Sequence, residues 1–207
     1  MSNVTRNSYV SGAEGTTPAT RVNRQGSLVV ISQRMQWSIE GRCFVSSHGT
    51  ETTPLTALAY DQDQPEFILS VPTGTTVIPL SIRVNTEGST GTAKELIIWR
   101  TTNEIGNGTS TAATEGPTNL RSDAPRAALA VPRHLYTANV TLTNYREIWR
   151  DSTTIASIAP FTYEYKDESP VIIVGPGSLG LQFAATTTQP TFFLNVTWAE
   201  FATSELT

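Results

Sequence analysis

The sequence is poor in charge. Asp, Glu, Lys and Arg make up 15% of its 207 residues, against roughly a quarter in an average globular domain. The 14 basic and 18 acidic residues leave a net charge of -4, and the basic ones do not cluster. The first 26 residues carry only Arg6, Arg21 and Arg24, spread among Ser, Thr and Gly. A protein that neutralises many phosphates needs grouped Lys and Arg, so direct contact with nucleic acid through a basic arm is disfavoured.

Cysteine and histidine are scarce as well. Cys43 is the single cysteine, which excludes an intrachain disulfide and any multi-cysteine zinc site. It sits in the strand-like stretch Arg42-Cys43-Phe44-Val45 and reads as a buried thiol. The two imidazoles, His48 in a Ser/Gly/Thr loop and His134 at a strand entrance, lack a third metal ligand in sequence. They read as ordinary surface or hydrogen-bonded residues. No apolar run approaches the ~20 residues of a membrane span, and the polar N-terminal stretch has no signal-peptide core.

Catalytic signatures are equally thin. Gly177-Ser178-Leu179-Gly180 lacks the spacing of a nucleophile elbow and lies between strands, where it reads as a tight turn. Asp61, Asp63 and Glu66 could form an oxygen cluster for calcium, but without EF-hand spacing they read as a solvated loop. Glu87, Asp123, Asp151, Glu164 and Glu200 are the carboxylates that a glycosidase could use, and sequence cannot pair them. No phosphate-cradling glycine motif is present. The expectation is a non-catalytic chain with no catalytic, cofactor or metal site.

What the chain has in abundance is Thr, Ser, Asn and Gly, which suit solvent-facing strand positions and turns. Residues 1–26 read as a flexible arm and 27–207 as one domain, a normal size for a β-sandwich. After Leu28–Ile31 and Trp37–Ile39, strands are expected at 42–45, 67–71 and 77–86. In the last of these Ile78, Leu80, Ile82 and Val84 alternate with Pro79, Ser81, Arg83 and Asn85, placing one face in the core and the other in water. The turn at 87–91 leads into 94–101, which suggests a hairpin. A long Gly/Thr/Ala/Pro-rich segment, 102–132, then interrupts the pattern, with a short helix or irregular strand near 124–131.

Strand signals resume at 136–142, at Phe161, Tyr163 and Tyr165, and at 171–174. Leu179, Leu181, Phe183 and Ala185, then Phe192, Leu194, Val196 and Trp198, alternate on either side of a Thr-rich turn and read as a closing hairpin. About nine or ten strands with turns between them indicate an all-β antiparallel sandwich. Trp99 and Trp198 fall in apolar strands and read as core. Trp149, between Arg146-Glu147-Ile148 and Arg150-Asp151, reads as an edge or contact residue, with sugar stacking as the competing role.

Val171–Leu179, the Thr-rich turn to Pro190 and Asn195-Val196-Thr197-Trp198-Ala199-Glu200-Phe201 resemble the closing strands of single jelly-roll virion proteins of phages and viruses. Val77-Ile78-Pro79-Leu80 and the loop 105–113 are similar to the same group, so the likeness spans roughly 66–201. It rests on strand and turn patterns. The resemblance implies a single jelly roll located in the virion, forming or decorating a capsid by self-association as a trimer or higher homo-oligomer with other capsid proteins. The absence of a basic arm departs from many small-virus shells and argues against direct genome contact. The rival expectation on the same architecture is a carbohydrate-binding module or lectin, and a β-sandwich hydrolase stands third.

Overall fold

The computed structural model describes residues 32–87, 93–106, 108–153, 159–166, 169–185 and 189–206. The chain divides into two units, 1–36 and 37–207. In the first unit the described residues, 32–36, open helix α1 (Gln33–Ile39). The 1–26 arm and the Leu28–Ile31 strand lie outside the described residues.

The strand expected at Trp37–Ile39 is the end of this helix. Ser32 caps it, accepting from the Met35 amide at 3.3 Å, and the residues that follow are helix formers. It stops at Gly41, whose φ of +70° is the left-handed conformation that ends many helices. The Arg42 amide reaches back to the Trp37 carbonyl at 2.9 Å.

Among the described residues the second unit holds thirteen strands. β1 (Cys43–His48), β2 (Leu55–Thr56), β3 (Phe67–Val71), β4 (Thr75–Glu87) and β5 (Lys94–Thr101) come first. β6 (Thr111–Ala112) and β7 (Glu115–Asn119) lie in the segment 102–132 that the sequence marked as a loop, and β8 (Val131–His134) begins at its end. β9 (Arg146–Thr153), β10 (Phe161–Glu164), β11 (Ile173–Val174), β12 (Gly177–Ala185) and β13 (Thr191–Ala202) complete the chain.

They form two antiparallel sheets packed face to face. One runs β10-β4-β13-β1-β7, with β11 also on β4 and β2 on β13; the other runs β6-β8-β3-β12-β5-β9. The expected hairpins do not form. β4 pairs with β13 and β10 while β5 pairs with β12 and β9, so neighbours in sequence sit in opposite sheets. The same holds for β12 and β13. Each apolar face is completed by strands distant in the chain, because only a second sheet can cover it. Tyr136–Leu142 is not a strand, and Gly177–Gly180 is the start of β12 rather than a turn.

The shared core contains Phe44, Leu69, Ile82, Val84, Leu96, Ile98, Leu181, Phe183, Leu194, Val196 and Trp198. Trp198 stacks on Phe44 with centroids 6.0 Å apart. The alternation in β4 does not hold one face throughout. Opposite Thr197 and Trp198 the register skips from Ser81 to Pro79, leaving Leu80 as the extra residue of a bulge. Ile82 and Val84 therefore face the shared core. Ile78 and Leu80 face outward, where Trp37, Cys43, Tyr165, Ala199 and Phe201 cover them.

The outer face of the second sheet is covered too. Trp99, Ile68 and Ile97 pack with Ile105 and Tyr136 of the long segment, with Val140, Leu142 and Tyr145 around them. Ser178 fastens that segment, donating to the Asn103 carbonyl at 2.9 Å and accepting from the Ile105 amide at 3.0 Å. Trp99 has no partner for its buried Nε1. That orphan costs about 1–3 kcal/mol, less than the roughly 4–6 kcal/mol from burying an indole, so packing wins.

Packing here is tight enough to test. A Cβ at Gly180 would lie 2.0 Å from the Trp99 ring, and the fully buried ring cannot retreat. Gly180→Ala is expected to lower stability by about 1–3 kcal/mol. The readout is a lower urea midpoint at unchanged slope; an unaltered midpoint would contradict this packing.

Candidate functional site

Two places concentrate chemistry that the framework does not consume, and the first is a cleft between the sheet edges. Among the described residues β9 ends one sheet and β10 ends the other. Their facing sides leave a cavity of ≈ 550 Å³ lined by Ile148, Trp149, Tyr163, Tyr165 and Val171, with Thr162, Glu164, Lys166 and Ser169. Period-two alternation along β10 turns Phe161 and Tyr163 inward and Thr162 and Glu164 outward. Trp149 is half-buried and meets the Tyr163 ring edge to face at 6.2 Å. Burial raises the Tyr163 phenol above its ordinary value, which keeps it a neutral hydrogen-bonding group.

β9 is protected outside the cleft by charge. Arg150 bonds Glu147 at 2.7 Å and Glu95 at 2.7 Å, and the hydrogen bond from Arg150 holds the Glu147 carboxyl below its usual range. Charged side chains of this kind block strand addition to an edge. Trp149 thus lies where an edge and a cavity meet, and Trp37, Trp99 and Trp198 are all buried.

The second place is a buried pair of histidines. His48 ends β1 and His134 ends β8, in opposite sheets, and their Nδ1 atoms are 2.8 Å apart. His48 ends a strand rather than lying in the loop expected of it, and of the surface and hydrogen-bonded roles expected for the two histidines both take the second, buried. One Nδ1–H must donate to the other, unprotonated Nδ1, and the lowered titration of both rings keeps the pair neutral near pH 7. Ser46 Oγ lies 3.0 Å from His48 Nε2, and the Phe67 ring meets His48 edge-on at 5.0 Å. Burial, with a contribution from His134, pushes His48 down to about 3. Burial and the charge of Arg133 push His134 down to about 4. No carboxylate or thiol joins them in a metal-sized group among the described residues.

The other sequence candidates scatter. Glu66 turns away from Asp61 and Asp63 into the interior, where its oxygens accept from the Leu58 amide at 3.2 Å and the Phe183 amide at 2.9 Å. Burial raises it to about 8, against the opposing effect of those amides. Asp61 instead caps the Asp63 amide at 3.0 Å. Glu200 is fully buried and accepts from Trp198 Nε1 at 2.8 Å, the Leu129 amide at 2.9 Å and the Ala130 amide at 3.1 Å, pinning the chain before β8 onto β13. Asp123 pairs with Arg121 at 2.9 Å on the surface. Asp151 and Glu87 lie on β9 and β4, and Glu164 alone of these carboxylates lines the cleft. Cys43 is buried, and burial raises its thiol.

The double sheet defines the class as an all-β antiparallel sandwich. Comparison with protein-family models finds none that matches the chain, and comparison with curated proteins finds no relative. Among the described residues no helix is long and apolar enough to cross a membrane.

The buried groups predict a pH profile. Each histidine has a folded value below the unfolded ~6.5, so its contribution is present above that pH and lost as pH falls toward 4 and 3. Glu66, raised to about 8, contributes below the unfolded value and is lost as pH rises through 8. Between about 4.5 and 6.5 two histidines outweigh one carboxyl. These three groups then give stability rising about 1.4 kcal/mol per pH unit to a maximum near 6.5, and falling above it. Urea midpoints across pH 4–8 read this out. In His48→Asn/His134→Asn the rising limb should vanish, and its persistence would contradict the neutral pair.

Proposed function

We propose that the chain is a non-catalytic virion structural protein built on a single jelly roll, which forms or decorates a capsid by self-association. The observation that carries the reading is strand order. With the short and inserted strands set aside, eight remain: β10-β4-β13-β1 in one sheet and β3-β12-β5-β9 in the other. They pair as β1 with β13, β3 with β12, β4 with β10 and β5 with β9. That is one long antiparallel ribbon, its first half running out to β5 and its second returning from β9, rolled so that successive segments alternate between sheets. Two Greek keys in a double sheet of eight strands describe the jelly roll, an architecture of capsid and lectin domains.

Architecture alone does not choose between those functions. The sequence likeness over roughly 66–201 supports the virion reading, as do low charge and dispersed basic residues, which fit a shell component without direct genome contact. Copies would associate around a symmetry axis as a trimer or larger closed assembly, with other capsid proteins as partners. The long segment 102–145 sits at the tip of the ribbon, between β5 and β9. It adds β7 to one sheet and β8 with β6 to the other, so its length widens the sandwich at one side.

Light scattering after size exclusion, with electron microscopy of the full chain over rising concentration, tests the proposal. A trimer, a ring or a particle is the expected result. A monodisperse monomer at the highest concentration, with no decoration of purified shells, would overturn it.

A further inference from the structure

The cleft between β9 and β10 has a composition that the shell reading does not use. Trp149, Tyr163 and Tyr165 line it, together with the hydroxyl-bearing residues Thr162 and Ser169. Among the described residues that line it, Lys166 supplies the one cation and Glu164 the one carboxylate, so the lining is neutral as a whole. A volume of ≈ 550 Å³ falls inside the range of about 300–1,000 Å³ of small-ligand sites.

Each feature restricts the occupant. Flat aromatic faces favour a ligand with an exposed C–H face. Hydroxyls and one charge of each sign favour many neutral hydrogen-bonding groups. Phosphorylated or sulfated ligands would need an excess of cations, which the lining lacks. A peptide adding to the β9 edge would meet the Arg150, Glu147 and Glu95 ion pairs. A pyranose meets every condition, with an apolar ring face and a rim of hydroxyls.

We propose that this cleft is a binding site for a neutral saccharide, one ring stacking on Trp149 while Glu164 and Lys166 hold its hydroxyls. Trp149 is the anchor because the other three tryptophans are buried in apolar clusters. The site does not depend on capsid assembly.

Saturation-transfer NMR on the full chain tests it, because the method works whether the chain is a monomer or a large assembly. The probes are the methyl pyranosides of glucose, galactose, mannose and N-acetylglucosamine, with a methyl sialoside as the charged comparison. At least one neutral glycoside should receive saturation, concentrated on the C–H protons of one ring face. Trp149→Ala should weaken its affinity about tenfold, the scale of one aromatic stacking contact, and Trp149→Phe should retain most of it.

Trp149 also packs against the core, so Trp149→Ala could unfold the chain. Glu164→Ala and Lys166→Ala change exposed side chains and should each weaken binding several-fold at unchanged melting temperature. Saturation of none of the neutral glycosides, preference for the sialoside, or affinity unaffected by Glu164→Ala and Lys166→Ala would each overturn the site. Light scattering on the same samples reads assembly separately, so loss of either proposal leaves the other standing.

Discussion

A sheet with one apolar face is stable only when that face is covered, and in this molecule the covering is organised around β13. This strand is bonded along its length to β4 on one side and over Cys43–His48 to β1 on the other. Its inward residues Phe192, Leu194, Val196 and Trp198 meet Leu181 and Phe183 of the facing sheet in a single core. Past Trp198 the strand serves a second purpose, as Ala199 and Phe201 turn outward beneath Trp37. Glu200, between them, holds the approach to β8 through the Leu129 and Ala130 amides. Loss of this strand would uncouple β1 from β4 and leave both apolar layers open.

The pairing scheme explains why much of the architecture could be read from sequence and why its connectivity could not. Alternation at Leu179–Ala185 and Phe192–Trp198 reports which residues face inward, a local property of a pleated strand. It carries no information on partners. The hairpins expected at 77–101 and 179–198 followed the rule that near neighbours pair, and a ribbon rolled across two sheets breaks that rule at both. The bulge at Leu80 was invisible for a related reason: a slip of one residue is visible only against the facing strand, and it reverses the exposure of every residue beyond it.

The candidate sites show the same limit. His48 shares parity with Phe44 and Ser46, so its inward aim was available had the β1 strand been extended past Val45. Its meeting with His134 across the sandwich depends on β8, which the sequence placed at the end of a loop. Trp149 stood out through its charged neighbours. Tyr163, Tyr165 and Lys166 acquire meaning only because β9 and β10 end their respective sheets on the same side. Helix α1 was missed because seven residues are too few to show a helical period, although Ser32 and Gly41 mark its ends.

β13 is the hub of the framework, and the β9 and β10 edges, where the cleft opens, are its least constrained part among the described strands. Native-state amide exchange resolves this directly, since residues bonded on both sides open only with the whole fold and edge residues open locally. The amides of Leu194–Ala199 should exchange at the global limit, with those of Arg146–Thr153 and Phe161–Glu164 orders of magnitude faster. Exchange of Leu194–Ala199 as fast as that of the edge strands would contradict the place of β13 between β4 and β1.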